Sequence, residues 1–396
     1  MVTQGIPFSV AEKNGSGELT TLYLDFYEPS GDTAAWRPLV ITVFGGAYVA
    51  GNRGFCDMKE YCSRLAKHGY TAASIDYRLM SVFSASAHNI IREMFLAAQD
   101  VSSAIRYFKL YGNDYGIDTN NIFLLGNSAG TIALLHEIFM EESERPEETF
   151  LVPVLNTLHS CGYAEYAEKS SKVAGAIAQW GGVLNLGIID STECIPLCLI
   201  HGTDDETVPY DSGYCYSSSF SFLLPYVYGS LPISERLNAI GFEDYEFHPF
   251  QGEEHAFYLS TFYQLIEDKF DTCFNITRDF LLRHLDFSWQ NETSPNYNDS
   301  IQDDHEDLAV SNFYTFNNYI VFPNPTKNIV NVSCNSNDIQ LFDIQLFNIY
   351  GNLLMMAKDC FNGTQLDISE YADGIYFLKI FGKRGEISLQ KIVKAN

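Results

Sequence analysis

The sequence predicts an α/β fold, a mostly parallel sheet flanked by helices, followed by a small all-β sandwich. Three observations carry this. Apolar runs rich in β-branched residues, as in strands buried on both faces, alternate with segments of helical periodicity between residues 38 and 201. One of them, Ile122-Phe123-Leu124-Leu125, runs into Gly126-Asn127-Ser128-Ala129-Gly130 and then into a helix-forming stretch. From Ile320 onward, short alternating strands separated by turns take over.

Taken in order, Thr20–Tyr27 alternates Leu22, Leu24 and Phe26 and reads as an early antiparallel strand. Pro38–Phe44 is a continuous apolar run, a doubly buried strand that breaks at Gly45-Gly46-Ala47. Tyr70–Arg78 is another, and Asp76 and Arg78 in it read as a structural ion pair with each other. Phe95, Ala98, Val101, Ile105 and Phe108 recur at helical spacing, so Arg92–Lys109 is an amphipathic helix lying on the sheet. The Ile122 strand and its helix follow, and strand-helix repetition implies right-handed parallel crossovers. Glu141–Lys172 is polar with little periodicity, an excursion off the sheet. Ala174–Ile177 and Pro196–His201 resume the strands. Tyr210–Gly229 is rich in aromatics and serine, and covers the site or lines its pocket. A helix near Ile233–Ala239, a strand Tyr245–Pro249 and a closing helix Phe257–Leu285 complete the pattern.

The chemistry gathers at the carboxyl ends of these strands. A strand, G-x-S-x-G and a helix form the context in which a serine hydroxyl is held above a sheet at a tight turn, and Ser128 occupies that place. The N–H of Ala129, at the helix start, faces a developing oxyanion. A second donor comes from the loop after an earlier strand, where Gly45 and Gly46 let the backbone approach a ligand. The strand ending at His201 leads into Gly202-Thr203-Asp204-Asp205, placing a carboxylate where one can orient an imidazole. His255 follows a strand and Gly252. His248 lies within the strand, His284 on the next helix and His305 in a polar stretch, so His255 alone takes the post-strand position.

Composition narrows the partners. The 396 residues carry a formal net charge of -26, a field that repels nucleic acid and anionic membranes. At 46% hydrophobic the chain can bury a real core, yet no apolar run approaches the ~20 residues that span a bilayer. Nine scattered cysteines contain no C-x-x-C pair, which argues against a zinc ribbon or redox dithiol and leaves disulfide connectivity open. The start, Met1-Val2-Thr3-Gln4-Gly5, lacks the basic and apolar segments of a signal peptide.

Residues 20 to 285 resemble the α/β-hydrolase family in its carboxylesterase and hormone-sensitive-lipase-like branch. The resemblance rests on Phe44-Gly45-Gly46-Ala47-Tyr48, Gly69-Tyr70, Ser74-Ile75-Asp76-Tyr77-Arg78-Leu79, Tyr115-Gly116-Ile117-Asp118, Gly126–Gly130, His201–Asp205 and Gly252–His255. It implies a Ser128, Asp205, His255 triad, since the family acid is the second position after His-Gly-Thr, and oxyanion donors at Gly45, Gly46 and Ala129. It implies no metal and no cofactor. Phe44 stands where the branch usually has histidine, which implies loss of a hydrogen bond that shapes the loop; Ala47 stands where a third glycine is common.

Residues 319–396 resemble the C-terminal sorting domain of the Bacteroidetes type IX secretion system, an immunoglobulin-like sandwich, through Phe322-Pro323-Asn324-Pro325, Asn348-Ile349-Tyr350-Gly351, Asp367-Ile368-Ser369, Gly374-Ile375-Tyr376 and Lys391-Ile392-Val393-Lys394. This implies handling by the type IX machinery, secretion or cell-surface attachment, and a start trimmed of its signal. The expected organisation is a catalytic domain at 1–287, an acidic linker at 288–318 and the sorting domain at 319–396. The function implied is a secreted serine ester hydrolase acting on a small-molecule or polysaccharide-linked ester. A serine peptidase of the same fold and a non-catalytic surface binding protein on a hydrolase fold stay open.

Overall fold

The computed structural model describes residues 1–286 and 319–394, apart from 14–17, 32–33, 82–85, 151–156, 159–161, 167, 217–223, 261, 324–325, 335–340, 349–352, 373 and 383–386. The chain divides into two compact units, Met1–Thr293 and Ser294–Asn396. The expected linker, 288–318, lies outside the described residues, as do Phe220, Phe222 and Cys161.

In chain order the first unit contains β1 (Val2–Glu12), β2 (Leu19–Tyr27), β3 (Arg37–Val43), α1 (Cys56–Lys67), β4 (Thr71–Ile75), α2 (Ala87–Tyr111), β5 (Ile117–Asn127), α3 (Ala129–Phe139) and a short α4 (Glu147–Phe150). There follow β6 (Gly175–Gln179), β7 (Leu197–Gly202), the small strands β8 (Ser212–Tyr214) and β9 (Tyr226–Tyr228), α5 (Ser230–Ala239), β10 (Tyr245–Phe250) and α6 (Glu267–Arg283). Eight strands form one sheet in the order β1-β2-β4-β3-β5-β6-β7-β10. Pairing from β4 to β10 is parallel, and β1 and β2 join antiparallel at one edge. From β3 the chain goes first to β4 on one side and later to β5 on the other, so the order reverses between β3 and β5. Ligands of open α/β sheets bind at the carboxyl ends of such a switch point. The Gly45 loop and Ser128 both leave the sheet there.

Leu39, Val40, Ile41 and Val43 of β3 and Ile122–Leu125 of β5 are fully buried, as continuous apolar runs demand. Helix α2 is longer than its amphipathic stripe suggests, because Ser86 caps it by accepting the Asn89 N–H at 3.3 Å. Strand β1 carries Gly5 and Pro7 among its residues, which obscure its alternation; an edge position with two register shifts accommodates them. The closing helix begins at Glu267, not Phe257. Ala256 and Tyr263 have φ of 52° and 56°, outside any right-handed helix, and Leu259 bridges Leu265 instead.

Asp76 and Arg78 do not pair with each other. Arg78 reaches α2, where it binds Asp100 at 2.8 Å, the Leu96 carbonyl and Gln99, while Asp76 binds Arg53. Both residues lie past the end of β4, and their side chains are drawn to different elements. Among the described residues no disulfide is present, and Cys56, Cys62, Cys194, Cys198, Cys215, Cys273 and Cys360 are free. Among them, too, no helix is long and apolar enough to cross a membrane.

The second unit has two antiparallel sheets, β11-β12-β15 and β14-β13-β16-β17, built from β11 (Tyr319–Phe322), β12 (Ile329–Cys334), β13 (Phe342–Asn348), β14 (Leu353–Cys360), β15 (Thr364–Asp367), β16 (Gly374–Gly382) and β17 (Ile387–Lys394). Val330, Val332, Phe342, Ile344, Leu346, Leu366, Leu378 and Ile380 form its own core.

Candidate active site

Ser128 sits between β5 and α3 with φ 51° and ψ -123°, a conformation that L-residues rarely adopt. The turn is possible because α3 starts hard against β3: a Cβ on Gly130 would lie 2.2 Å from the Val43 carbonyl oxygen. The Ser128 N–H donates to the Gln179 carbonyl at 3.0 Å, which ties the turn to the end of β6.

From this serine a hydrogen-bonded chain runs inward. Ser128 Oγ lies 2.9 Å from His255 Nε2, and His255 Nδ1 lies 2.7 Å from Asp205 Oδ2. The other carboxylate oxygen, Oδ1, accepts the N–H groups of Thr207 and Val208 at 2.8 and 2.9 Å. Burial pushes the Asp205 carboxyl up, but hydrogen bonds from His201 and His255 outweigh it and hold the group at about 2. Asp205 is therefore ionised at neutral pH, and its acceptor fixes a proton on His255 Nδ1, leaving Nε2 free to take the serine proton. Asp204 points elsewhere: it is exposed and accepts the Thr203 hydroxyl at 3.0 Å.

His201 was not singled out from the sequence. Its ring is fully buried, with Nε2 3.2 Å from Asp205 Oδ2 and 3.0 Å from the Val208 carbonyl, and Nδ1 2.8 Å from Ser230 Oγ. Two acceptors at Nε2 assign the proton there, so His201 is a second donor to the acid. The position in the His-Gly-Thr motif was the only available signal.

The loop after β3 lies against the serine turn. A Cβ on Gly45 would come within 2.8 Å of Asn127 Oδ1 and 2.9 Å of Ser128 Cβ, so only glycine fits. Gly46, Ala47 and Tyr48 have φ of 134°, 52° and 62°. Tyr77 donates its hydroxyl to the Phe44 carbonyl at 2.9 Å and stacks on the Phe44 ring, centroids 4.3 Å apart. Tyr48 in turn donates to the Ala129 carbonyl at 2.9 Å. Ala129 opens α3, where the helix leaves its first N–H groups without an internal partner. Ala47, Tyr48, Ser128 and Ala129 border a cavity of about 40 Å³, lined also by apolar residues including Ile132 and Val208. Gly45 and Gly46 do not line it. Of the aromatic segment, Tyr214, Tyr216 and Tyr226 are all exposed, and Tyr216 also borders the cavity.

Among the described residues one group has side chains of metal-ligand type, Cys198, Glu246 and His248 on the neighbouring strands β7 and β10. Arg283 already neutralises Glu246, and His248 hydrogen-bonds it at 3.0 Å, so no charge is left to attract a cation.

The sheet order, the serine turn and the histidine loop define the class: an α/β-hydrolase. The BD-FAE family model matches residues 24–194, and the secretion system C-terminal sorting domain matches residues 320–395. A curated relative, the probable isoprenylcysteine alpha-carbonyl methylesterase ICMEL1 of Arabidopsis thaliana, is 24% identical over 225 residues, which are 50% of this chain and 45% of that protein. The chain thus spans less than half the length of that relative. Among solved structures, Thermogutta terrifontis esterase 2 phosphoramylated by tabun is similar at 20% identity and a TM-score of 0.49, covering 70% of this chain and 95% of that one. The native form of the same esterase gives 20% and 0.47, over 74% and 96%. The first unit thus has an α/β-hydrolase fold whose residues 24–194 match the BD-FAE family, and residues 320–395 match a sorting domain that marks the chain for export to the cell surface or the medium.

Proposed function

We propose that the protein is an exported serine ester hydrolase that works through an acyl-enzyme on Ser128. The observation that carries this is the unbroken chain Ser128 Oγ, His255, Asp205, at 2.9 and 2.7 Å. His255 Nε2 takes the hydroxyl proton as Ser128 attacks the ester carbonyl, and the Asp205 carboxylate stabilises the imidazolium so formed. The negative oxygen of the tetrahedral intermediate is stabilised by backbone N–H groups, that of Ala129 and those of the Gly45-Gly46 loop. His255 returns the proton to the alcohol oxygen, the alkoxy bond breaks and the acyl group stays on Ser128. Water then repeats the sequence, with His255 again as base, and releases the acid.

The cavity beside Ser128 holds about 40 Å³ and is apolar, which suits an acyl group of very few carbons. The alcohol is left open, a sugar or a small molecule. A fluorophosphonate probe should label Ser128 and no other residue. On p-nitrophenyl esters, kcat/KM should be highest for acetate and propionate and fall steeply by octanoate. Labelling without turnover of any ester, acetylated polysaccharides and peptides included, would favour a binding protein on a hydrolase fold; cleavage of peptide amides with no ester preference would favour a peptidase.

A further inference from the structure

Under the serine turn lies a polar cluster that the chemistry above does not use. Its centre is Asp57, the second residue of α1, which is fully buried. One carboxylate oxygen, Oδ1, accepts the Met58 N–H at 2.8 Å. The other, Oδ2, accepts from Asn127 Nδ2 at 2.5 Å and lies 3.2 Å from the Tyr258 hydroxyl, which has one proton for two acceptors. Tyr258 also lies 2.8 Å from Gln179 Oε1, and Gln179 Nε2 donates to the Tyr61 hydroxyl at 2.7 Å. All of these hydrogen-bond partners are neutral. Burial pushes the Asp57 carboxyl up to about 6, and the hydrogen bonds from Met58, Tyr258 and Asn127 restrain the rise.

Taking a carboxylate out of water with no cation beside it costs several kcal/mol, so it is a poor way to fill a core. The placement of its donors suggests what is gained. Asn127 precedes Ser128 and presses on Gly45, the residue that only glycine can be. Tyr258 lies three residues past His255 in the same loop. Gln179, joined to Tyr258 by its side chain, receives the Ser128 N–H on its main-chain carbonyl. One buried group thus touches both the end of the nucleophile's strand, through Asn127, and the base's loop, through Tyr258.

We infer that Asp57 is a positioning residue for hydrolysis: by binding Asn127 and Tyr258 together it fixes where Ser128 and His255 stand relative to each other. The inference rests on the serine-hydrolase reading. It is tested on the full chain with Asp57→Asn, which keeps the volume and removes the charge, and with Tyr258→Phe, which keeps the ring and removes one donor. Asp57→Asn should lower kcat for p-nitrophenyl acetate at least tenfold while KM stays within twofold. The new amide sets an N–H against Met58 or Asn127, so the melting temperature should fall and kcat is read per folded molecule. A merely structural role predicts lost stability with kcat per folded molecule unchanged. Should Asp57→Asn fail to fold, Tyr258→Phe decides, with kcat expected to drop at least threefold at constant KM. A kcat within twofold of wild type in Asp57→Asn, or in Tyr258→Phe where that variant decides, overturns the inference. Turnover surviving in Ser128→Ala would instead overturn the reading beneath it.

Discussion

Ser128 is held at φ 51° by its neighbours and not by its own side chain, since its hydroxyl bonds only to His255 among the described residues. Ser128→Ala should therefore melt within a few degrees of wild type while kcat falls by more than about 10³-fold. Calorimetry beside an ester assay checks both halves, and retained turnover would remove Ser128 as nucleophile. Asp205→Asn should cost far more activity than Asp204→Asn, because only Asp205 touches His255. It should cost stability as well. Asp205 is held at about 2 against an ordinary value of 3.8, and a depressed carboxyl stabilises the fold above its unfolded value. That contribution, about 2 kcal/mol at neutral pH, should be lost as pH falls from about 4 to 2. Urea unfolding of wild type and Asp205→Asn across that window should show the gap between them closing; a gap independent of pH would show that the carboxylate is not held ionised. Ser128, Asp205 and His255 could be picked from the sequence because each sits in a short local pattern of strand, glycine and polar residue. Asp57 and Tyr77 could not. Asp57 meets Asn127 across 70 positions of chain, and Tyr77 meets Phe44 across 33, so no local spacing announces either contact.

At the scale of elements, the strands of the sheet interior were the most legible, because burial on both faces leaves an uninterrupted apolar run. Edge strand β1 was not, since Gly5 and Pro7 are tolerated at an edge and erase the alternation. Helix α1 lacks a start signal in the sequence: Phe55 at its N-cap makes no side-chain hydrogen bond. Its buried stripe, Met58, Tyr61, Cys62 and Leu65, has the right spacing and was there to be read. The pairing of Arg78 failed for a different reason, as an ion pair between neighbours is the simplest guess and the fold chose a partner on α2. That choice makes a prediction. Arg78 clamps the exit of β4 to α2, and Asp100 is wholly buried beneath it. Arg78→Met keeps much of the stem but removes the guanidinium paired with the buried Asp100, which should cost about 3 kcal/mol or more. Chemical denaturation should show this, whereas Arg78→Met with Asp100→Leu should recover most of the loss. If the double variant is no better than the single one, the cost lies in the lost bonds to Leu96 and Gln99 and not in the stranded charge.

For the whole molecule, the question is whether the sorting domain belongs to the enzyme or travels with it. The two hydrophobic cores share no residue: the first runs from Phe8 to Leu281 with Leu285 packed on its margin, and the second from Tyr319 to Ile392. Every residue of the proposed triad and its cavity comes from the first unit. Between them the sequence from 288 to 307 is polar and acidic. We therefore propose that the hydrolase ends near residue 287 and folds alone. Truncation after Ser288 should leave kcat/KM for a small ester within about twofold, a change of about 0.4 kcal/mol in the barrier. Limited proteolysis of the full chain should cut first between residues 288 and 307, where few apolar groups exist to hold the backbone. In a host with type IX secretion the same truncation should abolish export, because the sorting domain is the signal being read. A truncated protein that unfolds, or that loses most of its activity while Ser128 still accepts a fluorophosphonate, would show that the β-sandwich completes the hydrolase. Export that survives truncation would show that another part of the chain carries the address.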